Sequence, residues 1–351
     1  MIELLILSNM GPSRNKPSSG RFVLNQYHAI KNNFSNEINA EYFYLDQEPK
    51  KGIAKLLRYP VFFLKFLWSY VFRLKKLDII HVHFYFPTIL LAVFYKLFRR
   101  PNVKIVVTFH GSDIYKYIPA NAIYRWCNKF VDKHIFVSEE LQQKFFSQEN
   151  GEILSAGILD CFNFKQPDKK SEFKYQLMFA GRLDENKGSK RLISLIEKLP
   201  NCQFLVVGDG DYYQDLNKLN VNNLTLIKHA TPQQLVKLYK ESRFLLNLSL
   251  NESFGLVMTE AMACGTPVIA TKTDGSTAQI RDDETGYLVE NDECWLDENL
   301  ANFINDRLNS IDFDDYIKIS KAVSGSAQPY RLSVISNRLA DIYFSLAAKG
   351  S

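Results

Sequence analysis

Residues 244–271 constrain this chain more than any other stretch, because a strand end, a polar turn, a helix and a second strand follow one another inside it. Phe244–Leu248 is an apolar run that reads as a strand end, Asn251-Glu252-Ser253-Phe254-Gly255 as a turn, and Leu256–Cys264 has helical periodicity. Gly265-Thr266-Pro267 stops the helix and Val268-Ile269-Ala270 starts another strand.

Two carboxylates sit on this unit eight residues apart, Glu252 before the helix and Glu260 about one turn inside it. Free backbone N–H groups at Phe254, Gly255 and Leu256 point outward from the helix start, where the helix dipole favours an anion by ~0.3–1 kcal/mol. A phosphate is well placed there. At a rise of ~1.5 Å per residue, Glu260 lies roughly 6–7 Å from that terminus, about the span from a diphosphate to its ribose. A carboxylate there can accept from both ribose hydroxyls, while Glu252 faces whatever hangs off the far phosphate.

The string E-SFGLVMT-E-AMACGTPVIA resembles the signature of the retaining nucleotide-sugar glycosyltransferases of family four, E-x7-E followed by A-M-A-x-G-x-P-V-I-A. The resemblance is strong from 177 to 290 and looser before 150. It implies the α/β fold called GT-B, two doubly wound Rossmann-like domains facing across a cleft. It also implies Glu252 on the sugar, Glu260 on the ribose and a donor that is a nucleotide diphosphate sugar.

Composition is that of an ordinary globular chain of 351 residues, long enough for two domains. Five scattered cysteines show neither a disulfide framework nor zinc spacing. MIELLILSNM reads as a first strand and not as a signal peptide, and no apolar run is long enough for a spanning helix. Charge is uneven: residues 1–170 hold 24 Lys+Arg against 14 Asp+Glu, and the remainder 19 against 24. The first half therefore faces something anionic. No nucleic acid is expected.

In chain order, Glu3–Ser8 reads as a strand, and the loop from Asn9 with Gly11 and Gly20 leads to a helix at Arg21. A Gly-containing loop after a first strand is where doubly wound folds bring backbone to phosphate. Tyr42–Leu45 is a second strand. Residues 50–76 carry eight Lys or Arg, no acid, and seven aromatics from Tyr59 to Phe72. Such a stretch suits a helix in a membrane interface, and a buried packing helix with snorkelling lysines would look similar. Ile79–Phe84 and Lys104–Phe109 are strands, with a helix Thr88–Phe98 between them, and the second ends in His110-Gly111-Ser112-Asp113. The resemblance places His110 and Asp113 toward the donor, and His81 and His83 read as core or wall. Ser138 caps a helix, and the charged, aperiodic stretch 151–174 reads as a linker.

The second half opens on the strand Gln176–Ala180 and the loop Gly181-Arg182…Lys187-Gly188. The family clamps its diphosphate with this pair, and fixed cations would stabilise leaving-group charge without a metal. Arg191 reads as solvated. Phe204–Val207 ends in the tight turn Gly208-Asp209-Gly210, Thr231 caps a helix at Pro232, and Gln279 stands where the family has Glu. The triplets Asp209-Gly210-Asp211 and Asp312-Phe313-Asp314 read as a turn and a helix start, so no metal and no cofactor are expected. Tyr330–Ala348 is helical, and the resemblance folds 328–351 back onto the first domain.

The expectation is therefore an acceptor-binding domain over 1–168, a nucleotide-sugar domain over 169–327, and retaining hexosyl transfer in polysaccharide biosynthesis. Catalysis is assigned to His110, Arg182, Lys187 and Glu252. Donor binding is assigned to Gly11, Gly20, Asp113, Gly181, Gly208, Gly210, Ser253, Phe254, Gly255, Leu256 and Glu260. The acceptor would be a lipid-linked saccharide met at an anionic membrane surface through 50–76, on the cytoplasmic face. A nucleotide-sugar epimerase on a similar fold and a membrane-bound nucleotide-sugar sensor remain open as alternatives.

Overall fold

Runs such as Leu4–Leu7 and Ile105–Val107 are apolar at every position, which a strand tolerates only when both of its faces are covered. The computed structural model, which describes residues 1–14, 19–46, 52–147, 151–166 and 173–348, buries them so in two parallel sheets flanked by helices. The chain divides into two units, Met1–Gly157 with Leu332–Ser351, and Ile158–Arg331.

In the first unit, six strands run β1 (Ile2–Gly11), β2 (Ile38–Asp46), β3 (Ile79–His83), β4 (Lys104–Phe109), β5 (Lys133–Phe136) and β6 (Glu152–Ile153), in the spatial order β2-β1-β3-β4-β5-β6. In the second they are β7 (Tyr175–Ala180), β8 (Phe204–Val207), β9 (Leu224–Ile227), β10 (Ser242–Asn247), β11 (Val268–Thr271) and β12 (Gly286–Val289), ordered β12-β11-β10-β7-β8-β9. Each order reverses direction once, between β1 and β3 and between β7 and β10. Open α/β sheets form their ligand crevices at the carboxyl ends of strands flanking such a reversal.

Caps fall where the side chains allow. Ser138 accepts from the Leu141 N–H at 3.2 Å, and Thr231 with Gln234 forms a capping box behind Pro232. The last helix, Leu332–Ala348, buries Ile335, Leu339 and Tyr343 in the core that holds Leu4, Ile6 and Val23.

Other stretches depart from the sequence reading. The helix expected from Thr88 begins at Tyr85. The stretch expected as a linker contains β6 and the buried Ile158 and Phe162, which pack with Met178 and Met258. Two well-spaced apolar residues outweigh the polar ones around them, so the division falls at 157/158 and 331/332 instead of 168/169 and 327/328. Residues 15–18 of the first glycine loop, Lys50 and Lys51 of the basic stretch, and 167–172 lie outside the described residues.

Within 50–76, short helices Ile53–Leu56 and Arg58–Phe66 run into a π-helical turn, Leu67–Phe72. One face is core. Phe62, Phe66 and Tyr70 all pack on Phe43 of β2, with ring centroids 5.1, 5.8 and 5.5 Å away. The opposite face leaves Leu64, Trp68, Phe72 and Leu74 exposed beside Lys65, Arg73 and Lys76. Lys75 is paired with Glu41. Among the described residues no helix is long and apolar enough to cross a membrane.

Candidate active site

The loops that leave β7 and β10 meet at the reversal in the second unit, and they are laced together. The Leu250 N–H donates to Asn186 O at 2.7 Å, and the Asn186 amide donates to Asn251 O at 3.0 Å. Gly188 permits the approach: its φ is +76°, and a Cβ there would fall 2.0 Å from Leu248 O. Arg191 corrects the sequence reading. Its side chain is only 8% exposed, forked onto Glu293, with Nη1 donating to Asn291 at 2.8 Å and to Leu248 O at 3.0 Å. Position 191 faces Leu248 O of the facing loop and not water, so this arginine is a brace.

That lacing places Lys187 in a salt bridge with Glu252, whose side chain is 14% exposed. Asp184 accepts from the Lys187 N–H at 3.0 Å and meets Arg182 Nε at 3.2 Å, while the Arg182 side chain stays 66% exposed. Two cations and a nearly buried carboxylate thus stand before the helix Leu256–Ala263, which starts at Gly255 with φ +83°. Glu260 lies one turn in and half-buried. Tyr239 donates its hydroxyl to Glu260 Oε2 at 3.1 Å, and burial pushes the carboxyl up to about 7 against that hydrogen bond.

The turn is held from behind. Gly275 N–H donates to Glu252 O at 2.8 Å, and the buried Gln279 amide donates to Phe254 O and to Gly275 O, its own oxygen accepting from Thr259. The Phe254 ring is buried 5.3 Å from Tyr330, so Phe254 offers a ligand its backbone and not its side chain. Ser253 and Leu256 are half-buried beside it.

The candidate glycines answer to packing first. A Cβ at Gly208 would fall 1.9 Å from Gly181 O, and one at Gly210 2.4 Å from Leu183 O, whereas Gly181 faces open space. Asp209 pairs with Lys228 at 3.4 Å, and Asp312 caps the helix Phe313–Ser326 by accepting from the Asp315 N–H at 2.8 Å.

The first unit carries its own group of candidates. Gly11 lies against the Tyr44 ring, where a Cβ would fall 1.9 Å from it, and Gly20 lies against Met10 O. Asp113 is buried, and both its oxygens accept backbone N–H groups at 3.0 Å, from Tyr85 and from His110. It braces the start of one helix against the end of β4. Burial raises it to about 6 against these hydrogen bonds. The His110 ring packs on Phe22 and Phe84 at 4.9 and 4.6 Å, and its Nε2 meets His83 Nδ1 at 3.0 Å. Burial pushes His110 down to about 3, so it is neutral at physiological pH.

Asn186, Tyr239 and the latch formed by Gln279 went unassigned in the sequence, and His83 was read only as core or wall. Only Gln279 left a signal, as an amide in a position where the resemblance expects an acid.

Residues 162–319 match the family model Glycosyl transferases group 1, and residues 33–148 match Glycosyltransferase Family 4. An uncharacterized glycosyltransferase of Methanocaldococcus jannaschii is 27% identical over 239 residues, 66% of each chain. The N-acetyl-alpha-D-glucosaminyl L-malate synthase of Bacillus anthracis is 28% identical over 242 residues, 62% of each chain. The match thus spans about two thirds or less of the length of these curated relatives. The crystal structure of Anabaena HepE in complex with UDP and glucose superposes with a TM-score of 0.70 at 19% identity, over 98% of this chain and 100% of that one. The fold is the α/β, two-domain GT-B fold.

Gln279→Glu tests the latch. A carboxylate there would face two carbonyl oxygens, so its folded-state pKa is raised and the protonated form is the one the fold tolerates. Destabilisation should set in above the ordinary carboxylate range and grow as pH rises, reaching ~1–3 kcal/mol. Thermal melts should show a larger deficit against wild type at pH 8 than at pH 5. An equal deficit at both would mean that the amide is not donating to the turn.

Proposed function

We propose that this glycosyltransferase family 4-like chain transfers a hexose with retention from a nucleotide diphosphate sugar to the hydroxyl of a lipid-linked saccharide. The observation that carries the reading is Lys187 set against Glu252 at the start of the helix Leu256–Ala263, with Glu260 one turn further on.

In this reading the diphosphate lies at the helix terminus, where the dipole and the cations of Arg182 and Lys187 hold its charge. Negative charge on the leaving phosphate grows as the sugar bond breaks, so the cations act most strongly in the transition state. The leaving phosphate takes the acceptor's proton on the face it departs from, which gives retention without a covalent enzyme intermediate. Glu252 accepts from sugar hydroxyls, Glu260 from the ribose, and His110 donates to a sugar oxygen. Gly181 supplies the open backbone of the loop after β7. Two cations take the part a metal would play.

The acceptor side of the proposal rests on the excess of 24 Lys+Arg over 14 Asp+Glu in residues 1–170 and on the exposed face of Leu64, Trp68 and Phe72. A water-borne sugar needs no such surface. An anionic bilayer does, since each Lys or Arg near it contributes about 1 kcal/mol. These features support a peripheral position on a cytoplasmic membrane face, in polysaccharide synthesis.

Arg182→Ala and Lys187→Ala should each lower kcat for nucleotide release from the UDP-, GDP- or ADP-hexose that the wild type turns over, by ~10²–10³. EDTA should leave the wild-type rate unchanged. Full activity in either variant removes the clamp, and a magnesium-rescued loss in EDTA restores a metal to the mechanism.

Nucleotide binding should also release protons. Ribose hydroxyls donating to Glu260 favour its charged form, and with a free-state value of about 7 the carboxyl is half protonated at pH 7. Calorimetry in buffers of different ionisation enthalpy should show about half a proton released per nucleotide diphosphate at pH 7, fading above pH 8. Glu260→Gln should lack it. Equal release by both proteins would take Glu260 off the ribose.

The membrane reading predicts sedimentation with vesicles containing anionic lipid at low salt, weakened by screening at high salt. Replacing Lys65, Arg73 and Lys76 by Glu should abolish it and leave nucleotide binding intact. A wild-type protein that stays in the supernatant would make 53–72 a packing element and nothing more.

A further inference from the structure

The first unit carries a row of three histidines of which only the last has been given a task. His81 and His83 alternate along β3 and so point to one face, their ring centroids 4.3 Å apart. His83 lies 5.3 Å from His110 with the rings within 20° of parallel. Both strand histidines are fully buried, and burial keeps all three rings neutral, with His81 and His110 down at about 3 and His83 well below its usual value.

Their hydrogen bonds differ. His81 is satisfied on both sides, Nδ1 by the Tyr343 hydroxyl at 2.6 Å and Nε2 by Thr108 Oγ1 at 2.7 Å. His83 meets His110 through Nδ1, and its Nε2 is buried with no hydrogen-bond partner among the described residues.

Two neutral imidazoles sharing one N···N contact can place their protons in two ways. If His83 donates from Nδ1, its unpartnered Nε2 is a bare lone pair, and His110 carries its proton on Nδ1. If His110 donates from Nε2, His83 must carry its proton on the other nitrogen, and a buried N–H is left without an acceptor. Orphaned buried N–H groups are the rarer of the two, and one costs ~1–3 kcal/mol.

We propose that His83 is a positioning residue that locks His110 in the tautomer protonated at Nδ1. With Nε2 occupied, His110 has an N–H to give and no lone pair to take a proton. It is a hydrogen-bond donor and not a general base. This deepens the role proposed for His110 toward a sugar oxygen, and rests on that role only for the identity of the oxygen.

The test is imidazole 15N NMR of the full chain at neutral pH, which separates protonated from bare ring nitrogens. His110 should show Nδ1 protonated and Nε2 bare. His83→Asn, whose amide can donate from where Nδ1–H stood, should keep that pattern, and His83→Leu should let His110 mix tautomers. On the hexose donor that the wild type turns over, His83→Leu should lower kcat about five- to tenfold, a hydrogen bond's worth, with KM little changed, and His83→Asn should restore it. A His110 protonated at Nε2 in the wild type, or unmoved by His83→Leu, overturns the assignment. A wild type that keeps the tautomer yet turns over no hexose donor would sink the transfer reading and leave this one standing.

Discussion

Two loops can exchange backbone hydrogen bonds only if no side chain stands between them, and at the reversal of the second sheet that condition falls on Gly188. With a Cβ 2.0 Å from Leu248 O, any other residue would hold the loop after β7 away from the loop after β10. The Asn186 hydrogen bonds, the Arg191 brace and the contact of Lys187 with Glu252 all depend on that closeness. The chemistry of this unit is a consequence of where a backbone is allowed to go.

The two units prepare their polar groups in opposite ways. In the second, charges are kept and paired close to the surface, where Lys187, Glu252, Arg182 and Asp184 neutralise one another. In the first, the histidines are buried and held neutral, and Asp113 is buried with both oxygens accepting backbone N–H groups. A neutral ring can recognise a hydroxyl without drawing counter-ions, and a charged pair can hold a phosphate.

Much of this was legible in the sequence. Apolar runs bounded by glycines and prolines located most of the strands, Ser138 and Thr231 marked helix starts as side-chain oxygens should, and the glutamates at 252 and 260 fell on either side of a helix start. What escaped was long-range. Arg191 looked solvated because helical periodicity says which face a residue is on, not what the next loop brings to that face. Ile158 and Phe162 were lost among charges, though two apolar residues suffice to pin a segment to a core. The basic stretch 50–76 was read as either an interfacial or a packing helix, whereas it packs Phe62, Phe66 and Tyr70 on Phe43 and leaves Leu64, Trp68 and Phe72 exposed. Glycines 208 and 210 suggested a ligand near the backbone, and the close neighbour was another stretch of the same chain.

In the proposed reading, the Lys187–Glu252 pair makes the site a poor trap for simple anions. A free phosphate that captured Lys187 would strip Glu252 of its counter-charge while that carboxylate is mostly out of water, so much of the attraction would be cancelled. A molecule bearing hydroxyls beside its phosphate escapes this penalty, because the hydroxyls can donate to the carboxylate as the ammonium turns to the phosphate. Inorganic phosphate is abundant wherever nucleotides are used. In the proposed reading, a cation kept engaged until both partners can be served at once disfavours the commonest competitor through electrostatics.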